Sequence, residues 1–282
     1  MPGSQARTPN SGQRHSLTPL QETINSIVAR TPGINWSIDI RQDGVTVATH
    51  EPARVLNTAS VGKIFVLWAV AEAFDEGTME SISCVVSRED DMVADSGLWQ
   101  HMPHQEMTIE SLCVLVAAVS DNLATNTLIR LLGLSRIQEV SDRLGYPNTR
   151  MLDRIRETRS SDDPPAPSSG NAGDLAGLMH RIGLQAGPVE SRLAGWLALN
   201  TDLSMVASAW NFDPLAHSGN VGQRSFFNKT GTDEGVRADV GYLAKGGSNW
   251  SYAVLANCDE ASGASLAMDG MREIGTRIHG MQ

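Results

Sequence analysis

Hydrophobic and polar positions follow two periods along this chain: a strand-like alternation near both ends and a helical spacing between them. Near the N-terminus Trp36-Ser37-Ile38-Asp39-Ile40 alternates, Gln42-Asp43-Gly44 supplies turn residues, and Val45-Thr46-Val47-Ala48-Thr49 alternates again, which predicts a hairpin. The same signal returns only near the other end, over Phe226 to Thr230, Arg237 to Ala244 and Trp250 to Asn257, with Gly246-Gly247-Ser248-Asn249 as a turn. Thr18-Pro19-Leu20-Gln21 has the residues of a helix start, with Thr as N-cap, Pro at the first position and Gln closing a capping box. That helix is predicted to run to Arg30, where Thr31-Pro32-Gly33 breaks it, and an amphipathic helix from Ser265 to His279 closes the chain.

Between the strand regions the pattern is helical. Thr108 can cap Ile109 to Val119, a second helix follows from Asn122 to Leu132, Ser135 can cap a third ending at Gly145, and Gly173 to Ala186 and Val189 to Leu199 follow. From Tyr146 to Asn171 neither period holds, and so long an irregular segment in a compact protein is usually functional or disordered. Its charged entrance, Asp153-Arg154-Ile155-Arg156-Glu157, favours an ordered loop at a cleft. Strands contributed by both ends with helices between them predict an α+β fold, an α/β sandwich. In it an antiparallel five-stranded sheet with terminal helices carries an inserted all-helical lobe. The expected division is a disordered leader over 1–16, a sheet lobe from 17–57 and 205–282, and a helical lobe over 58–204, with the binding cleft between lobes.

One helix stands apart. Ile64 to Phe74 is apolar nearly all round, so it should be buried on every side, and Gly77 should end it. Ser60 and Lys63 fall at its N-terminus, three residues apart and on one face, within reach of a hydrogen bond. An alcohol becomes a nucleophile when a neighbour takes its proton, and an amine does that only when desolvation or a nearby cation lowers its pKa. The N-terminal amides, Ser60's own included, are candidate oxyanion donors. Alone, Ser60 also reads as an N-cap and Lys63 as a solvated first-turn charge.

Composition shifts that balance. Of 22 basic residues only Lys63, Lys229 and Lys245 are lysines, so arginine does the bare electrostatic work and a retained lysine suits a site where an amine must lose a proton. With 32 acidic residues the net charge is −10, which argues against nucleic acid or an anionic membrane as partner. No apolar run is long enough to span a bilayer. Cys84, Cys113 and Cys258 lack metal-ligand spacing and read as buried thiols forming at most one disulfide. No metal or cofactor is expected; Pro103 spoils helical spacing between His101 and His104. Residues 1–16 have no apolar signal core, so the protein is cytoplasmic if the sequence is full length and secreted or periplasmic if a signal has been removed.

Two tripeptides add chemistry. Ser120-Asp121-Asn122 falls in a turn between helices, where a hydroxyl can relay a proton and an amide can hold both a lysine and a substrate carbonyl, although the same tripeptide can simply cap a helix. Lys229-Thr230-Gly231 lies on a strand pattern: glycine admits a ligand backbone, and lysine and threonine suit a carboxylate, although an edge-strand lysine can also be merely solvated. Trp99 is a packing residue or an aromatic wall, and Glu234 and Asp239, flanking Arg237, read as ion-pair partners or solvated charges.

Ser-x-x-Lys, Ser-Asp-Asn and Lys-Thr-Gly in that order resemble class A β-lactamases and penicillin-binding proteins, over roughly Thr18 to His279. Ser60 and Ser120 are 60 residues apart, a separation that looks right for class A; Leu152-Asp153-Arg154 resembles that group's loop entrance, and Asn126 matches an Asn following its second motif. The resemblance implies a serine hydrolase with Ser60 as acylated nucleophile and Lys63 as its base or relay. It implies Ser120 as proton donor to the leaving nitrogen and Asn122 as holder of Lys63 and the substrate amide. Lys229, Thr230 and Arg237 would bind the substrate carboxylate beside Gly231, and the amides of Ser60 and Thr232 would form the oxyanion hole. The chain departs from class A at the Glu two residues after the loop Arg, which activates the deacylating water: here that position is Arg156, with Glu157 next. If Arg156 points at Ser60 and Lys63, it should lower the lysine pKa, favour acylation and leave water without a base. The expected partner is a small-molecule β-lactam or similar amide or ester, and the expected state a monomer. Two alternatives stay open: a penicillin-binding peptidase, esterase or amidase acting on another acyl donor, and a non-catalytic ligand-binding module.

Overall fold

A computed structural model of the protein describes residues 17–215, 226–259 and 261–281; the expected leader over 1–16 lies outside the described residues. Helix α1 (Pro19–Arg30) starts where its cap predicts, with the Thr18 hydroxyl accepting the Gln21 N–H at 3.2 Å. The hairpin β1 (Ile34–Gln42) and β2 (Val45–His50) follows, then the short β3 (Leu56–Asn57), a 3₁₀ turn (Ala59–Gly62) and α2 (Lys63–Asp75). Strands β4 (Cys84–Val86) and β5 (Glu106–Thr108) pair across the base of the helical lobe, followed by α3 (Ile109–Val119), α4 (Asn122–Leu132) and α5 (Leu134–Arg143). After β6 (Arg150–Met151), β7 (Ser168–Gly170), α6 (Ala172–Leu184) and α7 (Pro188–Leu197) come β8 (Phe226–Asp233), β9 (Val236–Lys245), β10 (Ser248–Cys258) and α8 (Ala261–His279).

The terminal strands form one antiparallel five-stranded sheet in the order β2-β1-β10-β9-β8, so both ends of the chain complete it and β8 is left at an edge. One core packs α1, α8 and the turn over Val206–Trp210 against a sheet face through Ile24, Ile27, Trp36, Ile38, Trp250 and Met271. A second core surrounds α2, from Ile64 to Ala71 buried on every side, and joins the helical lobe to the other sheet face through Phe227, Val240 and Tyr242. Burying each such large side chain is worth about 1.5–3 kcal/mol, which makes α2 the axis of the molecule.

Several elements differ from the sequence expectation. Ser60 is not in the first turn of α2 but in the preceding 3₁₀ turn, whose tighter winding brings residues three apart into register. Gly133, not Ser135, stands at the start of α5, because the chain turns straight out of α4. The irregular segment over 146–171 is tied by β6 and β7 into a small sheet with β3, pairs too short to leave an alternation. The cysteines are not uniformly buried: Cys113 is, Cys258 is half-buried and Cys84 is exposed, and all three are free thiols.

Gly275 in α8 packs so close to the turn beneath that an added Cβ would sit 2.1 Å from the Val206 carbonyl oxygen. Gly275→Ala should therefore lower stability by about 1–3 kcal/mol despite alanine's better helix propensity, read as a lower urea midpoint with unchanged slope.

Candidate active site

The 3₁₀ turn ahead of α2 is a strained corner. Ala59 has φ +47°, a left-handed conformation that a residue with a Cβ seldom adopts, and it sets the half-buried Ser60 at the head of the turn. Antiparallel pairing of β3 with β7 brings Ser168 beneath this corner, where its hydroxyl donates to the Ala59 carbonyl at 2.6 Å and meets the Thr58 hydroxyl at 2.7 Å. Gly62 completes the fit, since a Cβ there would stand 2.3 Å from that of Ser168.

Lys63 is fully buried. Its Nζ donates to the Asn122 Oδ1 at 2.7 Å, the Ser120 carbonyl at 2.6 Å and the Ser120 Oγ at 3.2 Å. The expected Ser60 to Lys63 hydrogen bond is not made: an ammonium has three N–H groups, and these three acceptors take them. Burial holds the Lys63 amine well below the ordinary lysine range, and the charge on Lys229 lowers it further, against smaller raising effects of Asp121 and Asp95. Arg156 is turned to Asp153 and Asp163, and the cation that depresses this amine is Lys229.

Ser120 ends α3 in a left-handed conformation, φ +56°, which turns its side chain back between the lobes. The buried Lys229 Nζ donates to its Oγ at 3.1 Å and to the Thr230 carbonyl at 2.9 Å, so one hydroxyl stands between two amines. With its two acceptor positions used by those amines, the Ser120 O–H is left to donate elsewhere. Burial brings Lys229 down to about 8, offset by Asp202 and Asp239. Asp121, 1% exposed, holds the local framework: Oδ1 caps α4 at the Ala124 N–H, and Oδ2 accepts the Leu98 and Trp99 N–H groups at 2.7 and 2.8 Å.

Edge strand β8 lies along the turn. A Cβ on Gly231 would come 2.2 Å from the Thr58 oxygen and 3.2 Å from the Ser60 nitrogen, so only glycine lets the strand run this close to Ser60. Thr230 is buried opposite Asp239, and the exposed Thr232 is directly opposite Arg237, whose guanidinium donates to the Asp233 and Val236 carbonyls at 2.9 and 2.7 Å.

The loop departs from the expected picture. Arg156 binds Asp153 at 2.6 Å and Asp163 at 3.1 Å, and Arg159 joins the same Asp153 at 2.8 Å. Glu157 accepts the Ala94 N–H at 3.1 Å, and Asn126 grips Ile155 by both backbone groups, at 2.9 and 3.0 Å. Trp99 is buried packing, its indole N–H donating to the His104 carbonyl. Asp239 is neither solvated nor ion-paired: it is fully buried and accepts from Asn228, Tyr252 and the Ala207 N–H. Sequence reasoning missed Ser168, and it read Asp239 as an ion-pair partner or solvated charge because strand alternation puts it in phase with Arg237; its burial is set by the packing of Asn228, Tyr252 and the Ala207 turn around it. Among the described residues no group of three or more metal-binding side chains occurs, and no helix is long and apolar enough to cross a membrane.

The model of the beta-lactamase enzyme family matches residues 19–281. The structure is similar to that of a beta-lactamase from Sphaerobacter thermophilus, with TM-score 0.77 and 22% identity over 93% of this chain and 97% of that one. It is similar to PBP-A at TM-score 0.75 and 21% identity, over 94% of this chain and 97% of that one. A PBP-A variant is known as an acyl-enzyme complex with penicillin-G. A beta lactamase from Burkholderia vietnamiensis gives TM-score 0.76 and 18% identity over 94% and 97% of the two chains. No curated protein matches the chain.

Asp239 gives a signed pH test. Burial pushes its carboxyl up to about 7, with Asp202 adding to the rise and its hydrogen bonds opposing it. Between the unfolded carboxyl value and about 7 the native state holds a proton that the unfolded state has lost, so raising pH through that window removes stability. Relative to Asp239→Asn, the wild type should lose roughly 2–4 kcal/mol of unfolding free energy from mildly acidic pH to just above neutral, measured by urea unfolding at each pH.

Proposed function

The chain belongs to the beta-lactamase enzyme family, and from that premise we propose that it is a serine hydrolase that forms an acyl-enzyme on Ser60 with a β-lactam or related amide. The observation that carries the proposal is the Ser120 hydroxyl bonded to both Lys63 and Lys229, with Gly231 of β8 lying against the Ser60 amide. In acylation a neutral Lys63 amine, which has a lone pair in place of one N–H and so gives up one of its three acceptors, turns to Ser60 and takes its proton as the Oγ–carbonyl bond forms. The amide C–N bond then breaks, and Ser120 delivers a proton to the leaving nitrogen and is reprotonated from Lys63. The Ser60 and Thr232 amides would stabilise the oxyanion, and Lys229, Thr230 and Arg237 would take the substrate carboxylate. Because Lys63 must be neutral, acylation should fall as pH drops through its depressed value.

Deacylation is proposed to be slow. At the loop position where class A enzymes carry the water-activating Glu, Arg156 is committed to Asp153 and Asp163, and a guanidinium cannot serve as a base. Glu157 is engaged with the Ala94 amide. The same observation supports a second reading, in which the site is a penicillin-binding peptidase, esterase or amidase for another acyl donor and a β-lactam merely traps it.

A chromogenic cephalosporin followed by optical assay and intact mass tests this. A stoichiometric burst with one adduct per chain and little turnover is expected, and Ser60→Ala should abolish the adduct. Labelling that survives in Ser60→Ala would sink the mechanism, tight reversible binding insensitive to that change would indicate a binding module, and rapid steady turnover would refute slow deacylation.

A further inference from the structure

One carboxylate beside the site has no part in the mechanism above. Asp95 is exposed, has φ +80°, and its side chain meets only the Ser96 hydroxyl, at 3.5 Å, among the described residues. Both residues flanking it are bound to Asn122: the Ala94 carbonyl accepts from Asn122 Nδ2 at 3.1 Å, and the Ser96 carbonyl accepts the Asn122 backbone N–H at 3.0 Å.

The second of these bonds also anchors the segment to the start of α4. Hydrogen bonds therefore link the residues on either side of Asp95 to Asn122, Asn122 to Lys63, and Lys63 through Ser120 to Lys229. An acid lies beside the first member of that linked set and a cation is its last. Lys63 feels the Asp95 charge across this arrangement. Asn122 Nδ2 spends one hydrogen on Ala94, which leaves its second for the acyl-side amide of a substrate.

We propose that Asp95 is a specificity-determining residue of this site, selecting acyl donors that carry an ammonium group on the acyl side of the scissile carbonyl. The proposal rests on the reading that Ser60 is acylated. In the proposed pose a substrate spans that linked set, with its carboxylate at Lys229 and its acyl side at Asn122, next to Asp95. A zwitterion of that polarity is matched at both ends, whereas an anionic acyl group meets like charge.

Benzylpenicillin and ampicillin test it, because they differ by one ammonium on the acyl side chain. Adduct formation on the full chain is followed by intact mass, at a pH that keeps the ampicillin amine protonated, and the readout is the ratio of the two rates. That ratio cancels any effect of Asp95 on Lys63. Asp95→Asn should lower the ampicillin preference about 2- to 5-fold, the range of an exposed ion pair, and high salt should lower it in the wild type. Asn tolerates left-handed backbone, and Asp95→Gly, which accepts it freely, should give the same change. Adducts from both probes with an unchanged ratio overturn the role of Asp95 alone; no adduct from either overturns the acylation reading with it.

Discussion

Two amines held out of water on either side of one hydroxyl set the terms for the rest of this structure. Lys63 and Lys229 are both fully buried, and burial, the largest influence on each, favours their neutral forms. An unpaired buried ammonium is expensive, so each amine is given a backbone carbonyl and the shared Ser120 hydroxyl, and Lys63 the Asn122 amide oxygen as well. None of these is a carboxylate. A carboxylate in direct contact would have locked each lysine in its charged form, whereas neutral acceptors leave it free to exchange a proton.

Bringing those groups together requires segments far apart in the chain. Ser60 follows β3, Ser120 ends α3, Ser168 begins β7 and Lys229 lies on β8. The corner at Ala59 is held in a conformation that costs about 1–2 kcal/mol for a residue with a Cβ, and the Ser168 hydroxyl on its carbonyl opposes relaxation. Gly231 lets the edge strand close on the same corner from the other side. The turn that carries Ser60 is thus clamped between a two-residue strand pair and a sheet edge, with the apolar α2 behind it.

Much of this was legible in the sequence because the signals were local. The Thr18 and Thr108 caps, the alternating terminal strands and the all-round apolar run of α2 each follow from neighbours in the chain, and the structure contains all of them. What stayed hidden is set by long-range contact. Nothing near Lys63 in sequence says that its three hydrogens go to Ser120 and Asn122, or near Arg156 that Asp163 would share it with Asp153. The 3₁₀ turn at Ser60 depends on Ser168, over a hundred residues away, and β3, β6 and β7 are too short to show a period.

Basic residues in this protein divide by what their protons can do. Arg41, Arg130, Arg156 and Arg159 each pair with an aspartate that is nearly buried, Asp39, Asp91 or Asp153, and fix a strand, a helix or the loop. Their charge is permanent, which suits a fastener. Among the described residues no lysine joins an ion pair of this kind; Lys245 is exposed at a strand end, and the other two are buried at the site. Taking an amine out of water costs free energy that its neutral acceptors only partly return, so stability alone gives little reason for two of them here. Proton exchange does give one, and it separates the roles on either side of Ser60: the arginine-bound loop supplies shape and fixed charge, while Lys63, Ser120 and Lys229, whose linked groups can exchange protons, come from α2, the end of α3 and β8.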